Sequence, residues 1–127
     1  MYTFKKEERL CNKRLIDGLF HNGSSFLCYP YKVSWQLVTA GAVPAQIVFS
    51  VGKKRFKRAV IRNLIKRRLR EAYRLHKQQH LYDHLTAQGK SLILSVGYVG
   101  KQVEAYAFIE TKMIKMLNQL NEQVAKQ

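Results

Sequence analysis

Carboxylates are the scarce reactive group in this chain: eight Asp and Glu stand against 23 Lys and Arg in 127 residues. Glu7 and Glu8 are adjacent, and the other acids are scattered. Two-metal phosphoryl chemistry wants clustered carboxylates to hold Mg²⁺, and no such cluster can be read from the spacing. Cysteine is nearly absent as well. Cys11 and Cys28 make neither a disulfide framework nor a zinc set, and read as reduced thiols. No run of 18 apolar residues is present to cross a membrane. The opening MYTFKKEERL lacks the apolar core of a secretory signal. Internal repeats and low-complexity segments are missing too. Together these absences argue against a disulfide-stapled module, a membrane protein and a carboxylate-based nuclease, and point to a cytoplasmic protein. What remains is a chain 46% hydrophobic, read as a single domain over residues 1–127 with its tail, 124–127, frayed.

Its charge is concentrated. The formal net charge is +15, and residues 53–77, KKRFKRAVIRNLIKRRLREAYRLHK, carry twelve Lys and Arg against one acid, Glu71. From Ala59 the pattern is helical, with Ile61, Leu64, Ile65, Leu69, Ala72 and Leu75 at the spacing of one buried stripe. At 100° per residue Arg62, Asn63, Lys66, Arg67, Arg70 and Arg74 take the opposite side. Solvated helix faces normally mix signs, with acids and bases paired at i,i+4. Here like charges repel, so a polyanion is the expected partner: RNA or DNA, with an anionic membrane surface less fitting.

Before the basic helix, residues 8–22 read as a first helix with Leu10, Leu15, Ile16, Leu19 and Phe20 on its apolar side, stopped by Asn22 and Gly23. Residues 29–38 alternate as a half-buried strand, Tyr31, Val33, Trp35 and Leu37 against Lys32, Ser34 and Gln36. Residues 39–44 form a turn, and 45–51 a second strand, expected to lie antiparallel to the first. The basic helix spans about 58–79, with a polar connection over 80–91. Residues 92–96 are an interior strand, and 104–124 a last helix with Tyr106, Ile109, Met113, Met116, Leu117, Leu120 and Val124 on one stripe. The order α-β-β-α-β-α predicts an α+β, two-layer α/β sandwich in which helices cover one face of a small mixed sheet.

The run AVIRNLIKRRLRE over residues 59–71 resembles the "RNR" signature of the bacterial ribonuclease P protein component, approximately A-V-x-R-N-x-x-K-R-x-x-R-E. The strand ending before Lys53 and Lys54, the stretch FKKEERL at 4–10 and FHNG at 20–23 share the likeness, which runs from residue 4 to about 120. The resemblance implies a ribosomal-protein-S5-domain-2-like fold with a left-handed β-α-β crossover. It also implies an accessory role in an endonuclease that removes the 5′ leader of precursor tRNA, with catalysis carried by the RNA subunit. The implied partners are that catalytic RNA and precursor tRNA, with no obligate protein partner. Mg²⁺ would be bound mainly by the RNA.

Two surfaces would divide this work. Lys53, Lys54, Arg58, Arg62, Asn63, Lys66, Arg67, Arg70 and Arg74 would contact phosphates of the catalytic RNA, which suits the planar fork of Arg. A cleft between the sheet and the first helix would hold the single-stranded leader by positive charge and aromatic stacking. Phe4 and Phe20, with Lys32 as a backbone contact, are the candidates there. No catalytic residue and no protein metal site are expected; His76, His80 and His84 share a helical spacing, but no third ligand type joins them. The chain departs from the family pattern at Gly52, at the loop Arg55-Phe56-Lys57-Arg58, at Ile16, where several members carry Phe, and at Arg68. Arg68 falls in the apolar stripe, so it must snorkel or pair with an acid. A ribosome-associated RNA binder would share the basicity but not this register of Arg and Lys. A DNA reader would need the short paired helix of a helix-turn-helix.

Overall fold

The computed structural model describes residues 3–39 and 41–127. A four-stranded mixed sheet lies at its centre: β1 (Ser24–Cys28), β2 (Tyr31–Val38), β3 (Ala45–Val51) and β4 (Ser91–Tyr98), in the order β1-β2-β4-β3. The helices are α1 (Lys13–Asn22), α2 (Ala59–Lys77), α3 (Asp83–Gln88) and α4 (Tyr106–Ala125). β4 is the interior strand, as its apolar run predicts, antiparallel to β2 and parallel to β3. The expected antiparallel pairing of β3 with β2 is not formed. A chain leaving β3 through a long helix returns on the same side of the sheet, and β4 takes the slot between them. β1, which the sequence reading missed, pairs with β2 across a Tyr29-Pro30 connection. Its five residues alternate too briefly to stand out from the helix before it.

The two faces of the sheet are covered differently. Tyr31, Val33 and Trp35 of β2, Ile47 and Phe49 of β3, and Leu92, Leu94 and Val96 of β4 form the main core with Ile65, Leu69, Ala72 and Tyr73 of α2 and the Met-rich stripe of α4. Two polar tips on β2 find partners: Tyr31 Oη donates to Ile109 O (2.7 Å) and Trp35 Nε1 to Gln123 Oε1 (3.2 Å), which pins β2 to α4. The opposite face carries a smaller cluster, Leu10, Leu19 and Ile93 with Ile16 and Val48, under α1. The helices therefore lie on both faces rather than on one.

The first helix starts at Lys13, capped by Asn12 Oδ1 on Leu15 N–H, and not at residue 8. Residues ahead of it form a short 3₁₀ turn, Lys6–Glu8, and a strap along β3 in which Leu10 N–H donates to Ile47 O. Gly23 ends α1 where a Cβ would sit 2.6 Å from Leu19 O and 2.9 Å from Trp35 O, so the close approach of helix to β2 requires a glycine. The polar connection expected over 80–91 is helical. α2 passes through a π turn, Gln78–Tyr82, into α3, and Gly89 closes it with φ +65°. The π turn frees the His80 carbonyl, and Asn121 Nδ2 donates to it. That extra residue rotates the following turn so that Leu81, Tyr82 and Leu85 face the core. At the other terminus α4 runs to Ala125, Val124 is fully buried, and Lys90 Nζ donates to Val124 O and Gln127 O. The turn expected over 39–44 includes Ala40, which lies outside the described residues. Among the described residues no helix is long and apolar enough to cross a membrane.

Candidate nucleic-acid interface

The basic segment divides into cations used by the fold and cations left at the surface. Lys77 is only 2% exposed. It donates to Glu8 Oε1 and to Thr3 O, and Tyr82 Oη donates to the same Glu8 oxygen (2.5 Å). Burial pushes the Glu8 carboxyl up, but the hydrogen bonds from Lys77, Tyr82 and Lys5 N–H outweigh it and hold Glu8 below the ordinary carboxylate range. Arg68 emerges from the apolar stripe by donating to the backbone carbonyl of Glu104 (2.6 Å), a main-chain partner rather than an acid. Arg74 is held by Glu71, 2.6 Å away.

Arg62 has a further structural task. Its Nη1 donates to Phe56 O and Lys57 O, both at 2.8 Å, and so fixes the loop that precedes α2. Phe56 itself is buried against Tyr98, ring centroids 6.0 Å apart, and its N–H bonds Gly52 O. The loop path that looked unusual in sequence is thus anchored at both its aromatic and its carbonyls. Lys53, Lys54, Arg55, Lys57 and Arg58 are presented outward from this loop, and Asn63, Arg67 and Arg70 are exposed along α2, with Lys66 half-buried beside them. None of these Lys or Arg residues has a carboxylate within 4.0 Å among the described residues.

A cleft of about 240 Å³ opens on the face of the sheet that α1 only partly covers. Phe20, 64% exposed, forms its α1 wall. The floor is Lys32 and Ser34 of β2, Ser95 and Gly97 of β4, and Ser50 of β3; Gly52, Arg55, Tyr98 and Val99 close one end. The fold thus brings Phe20 and Lys32 together as expected, but not Phe4. Phe4 is half-buried and packs edge-on against Tyr73 (5.7 Å) at the margin of the main core, with Arg9 and Lys77 over its ring, on the other face of the sheet. An aromatic two residues ahead of the Lys6–Glu8 turn is drawn toward Tyr73 by that packing, which the local pattern does not show. Sequence reasoning also missed Arg55, Ser34, Ser50, Ser95 and Gly97. The signal for the four strand positions was present as small residues alternating with the apolar ones on three strands. Two of the three helical histidines have side-chain partners: His76 Nε2 lies 2.9 Å from Glu110 Oε2, and His80 Nδ1 lies 3.3 Å from Asn118 Oδ1.

Comparison with known proteins gives a consistent result. The family model for Ribonuclease P matches residues 4–120. The ribonuclease P protein component of Porphyromonas gingivalis is 34% identical over 119 residues, covering 91% of this chain and 85% of that protein. Among solved structures, the ribonuclease P protein of Staphylococcus aureus superposes with a TM-score of 0.66 at 20% identity, covering 89% of this chain and 94% of that one. The protein from Thermotoga maritima gives 0.64 at 21% identity, over 88% and 96% of the two chains. At those identities the structural likeness speaks for the fold.

Proposed function

The chain belongs to the ribonuclease P protein family, and from that premise we propose that it binds the catalytic RNA of the holoenzyme through the basic loop and α2, and the 5′ leader of precursor tRNA in the cleft. Protein components of this family are accessory subunits of a tRNA-processing endoribonuclease with an RNA partner, and the residues here suit assistance rather than catalysis. Hydrolysis and its Mg²⁺ are assigned to the RNA: the cleft offers cations, hydroxyls and an aromatic ring, not the carboxylates a protein-held metal would need.

The observation that carries the reading is the position of Arg55. It belongs to the basic loop and also lines the cleft, so positive surface runs from α2 into a groove whose wall is an exposed aromatic ring. A positive groove with stacking platforms is how single strands are held without base pairing. The exposed Arg and Lys of α2, spaced three and four apart, match phosphates along an RNA backbone.

The test is 5′ processing of a precursor tRNA at low Mg²⁺ by the cognate catalytic RNA alone, with this protein, and with an Arg67→Ala/Arg70→Ala variant. The wild type should rescue cleavage, the variant should do so weakly, and the protein alone should be inert. Removing two phosphate contacts should also lower the slope of log K against log salt by about 1.5 to 2. Failure of the wild type to rescue would overturn the reading.

A further inference from the structure

Two hydroxyls in the floor of the cleft are not used by the fold. Ser34 and Ser95 are 7% and 5% exposed, sit directly opposite each other in the β2–β4 ladder, and face the cleft. Neither makes a side-chain hydrogen bond among the described residues, although each is more than nine-tenths buried. Neither oxygen is sealed off from the cleft, so each is free to exchange solvent for a ligand group at little cost. In the next row of the same face, Lys32, Gly97 and Ser50 stand side by side across β2, β4 and β3. Gly97 leaves bare backbone between the ammonium and the Ser50 hydroxyl, and Phe20 and Arg55 complete the surround.

We propose that this pocket recognises the ribose of one leader nucleotide, with the Ser34 and Ser95 hydroxyls hydrogen-bonding its 2′-hydroxyl, Phe20 stacking on a base, and Lys32 and Arg55 flanking the phosphate. The inference rests on the proposed seating of the leader in the cleft and adds what is read there. Serine is both donor and acceptor and rotates freely, so it accepts either kind of base-edge group and discriminates bases poorly. The 2′-hydroxyl has the same dual character and is common to every ribonucleotide. A site that holds leaders of any sequence can therefore use it, and a deoxyribose would leave both serine hydroxyls without their partner in the occupied cleft. The aromatic wall is equally indifferent to base identity, since every base has a π-face. The pocket reads sugar, not sequence.

The test uses the holoenzyme assembled from this protein and its cognate catalytic RNA, with precursor tRNAs whose scissile linkage is blocked. Affinity is measured for an all-ribose leader, for leaders with a single 2′-deoxy substitution walked along each position, and for mature tRNA without a leader. One position should show a roughly three- to tenfold loss on deoxy substitution, the size of one hydrogen bond. In a Ser34→Ala/Ser95→Ala protein the ribose-to-deoxyribose ratio at that position should fall to about one, while the ratio between leadered and mature tRNA remains above one. A merely structural role for the serines would lower affinity for both sugars alike. The inference is overturned if no position responds, or if the ratio persists in the double variant. Equal affinity for leadered and mature tRNA in the wild type would overturn the seating of the leader itself.

Discussion

Lys77→Met separates the cations that fold this protein from those left at the surface, the proposed RNA contacts. Lys77 belongs by sequence to the basic run, yet it is buried beside Glu8, 2% and 3% exposed respectively. Removing one partner of a buried pair typically costs about 3 to 5 kcal/mol, because the other charge stays behind uncompensated. Glu8 would keep the Lys5 N–H (2.7 Å) and the Tyr82 hydroxyl, which places the loss near the lower end, about 3 kcal/mol. For a domain of this length that corresponds to a fall of roughly 10 to 15 °C in melting temperature. A Glu8→Leu/Lys77→Met protein should recover much of it, since apolar replacement of both partners removes the stranded charge. Recovery would be incomplete, because Tyr82 Oη would be left with Ala45 O at 3.4 Å. Thermal unfolding followed by circular dichroism measures both. Below its melting temperature, Lys77→Met should keep the wild-type salt slope for RNA binding, unlike Arg67→Ala/Arg70→Ala. A loss under about 1 kcal/mol, or a slope reduced by about one charge, would refute the division.

Three further outcomes follow from the same geometry. Glu8 has a folded pKa below its ordinary value of 4.5, so its contribution to stability is complete above that pH and is lost as pH falls through the depressed value; melting temperature measured from pH 6 to 3 should drop less steeply for Glu8→Gln than for wild type. Gly23→Ala places a Cβ 2.6 Å from the Leu19 carbonyl oxygen and 2.9 Å from that of Trp35, so the helix–strand contact must open. A loss of about 1 to 3 kcal/mol in urea unfolding is expected. A net charge of +15 repels itself, and added sulfate should raise the melting temperature by more than chloride at equal ionic strength; an unchanged midpoint would count against a dense phosphate-binding surface.

The amino-acid sequence by itself determined the element types with long periods and the chemistry of the outer surface. The 3–4 spacing of Ile65, Leu69 and Ala72 is enough to make α2 a helix with Asn63, Arg67 and Arg70 outside, whatever it packs on. The Leu92-Ile93-Leu94 run is enough to bury β4 on both faces. Helix boundaries were less legible, because a π turn keeps the chain helical through the polar residues Gln78, Gln79 and His80 by a partner, Asn121, that lies 41 residues further on. Only the tertiary structure decided which cations are available. Arg62, Arg74 and Lys77 look like their neighbours on a helical wheel, which sets only Arg68 apart, and the groups that hold Arg68 and Lys77 come from distant segments. It likewise packed Phe4 against the core and left Phe20 at the cleft, and it set Ser34 against Ser95 across two strands separated by about half of the chain. Local periodicity specifies a face. Which face meets which, and so which polar groups end up paired, depends on contacts between residues remote in sequence.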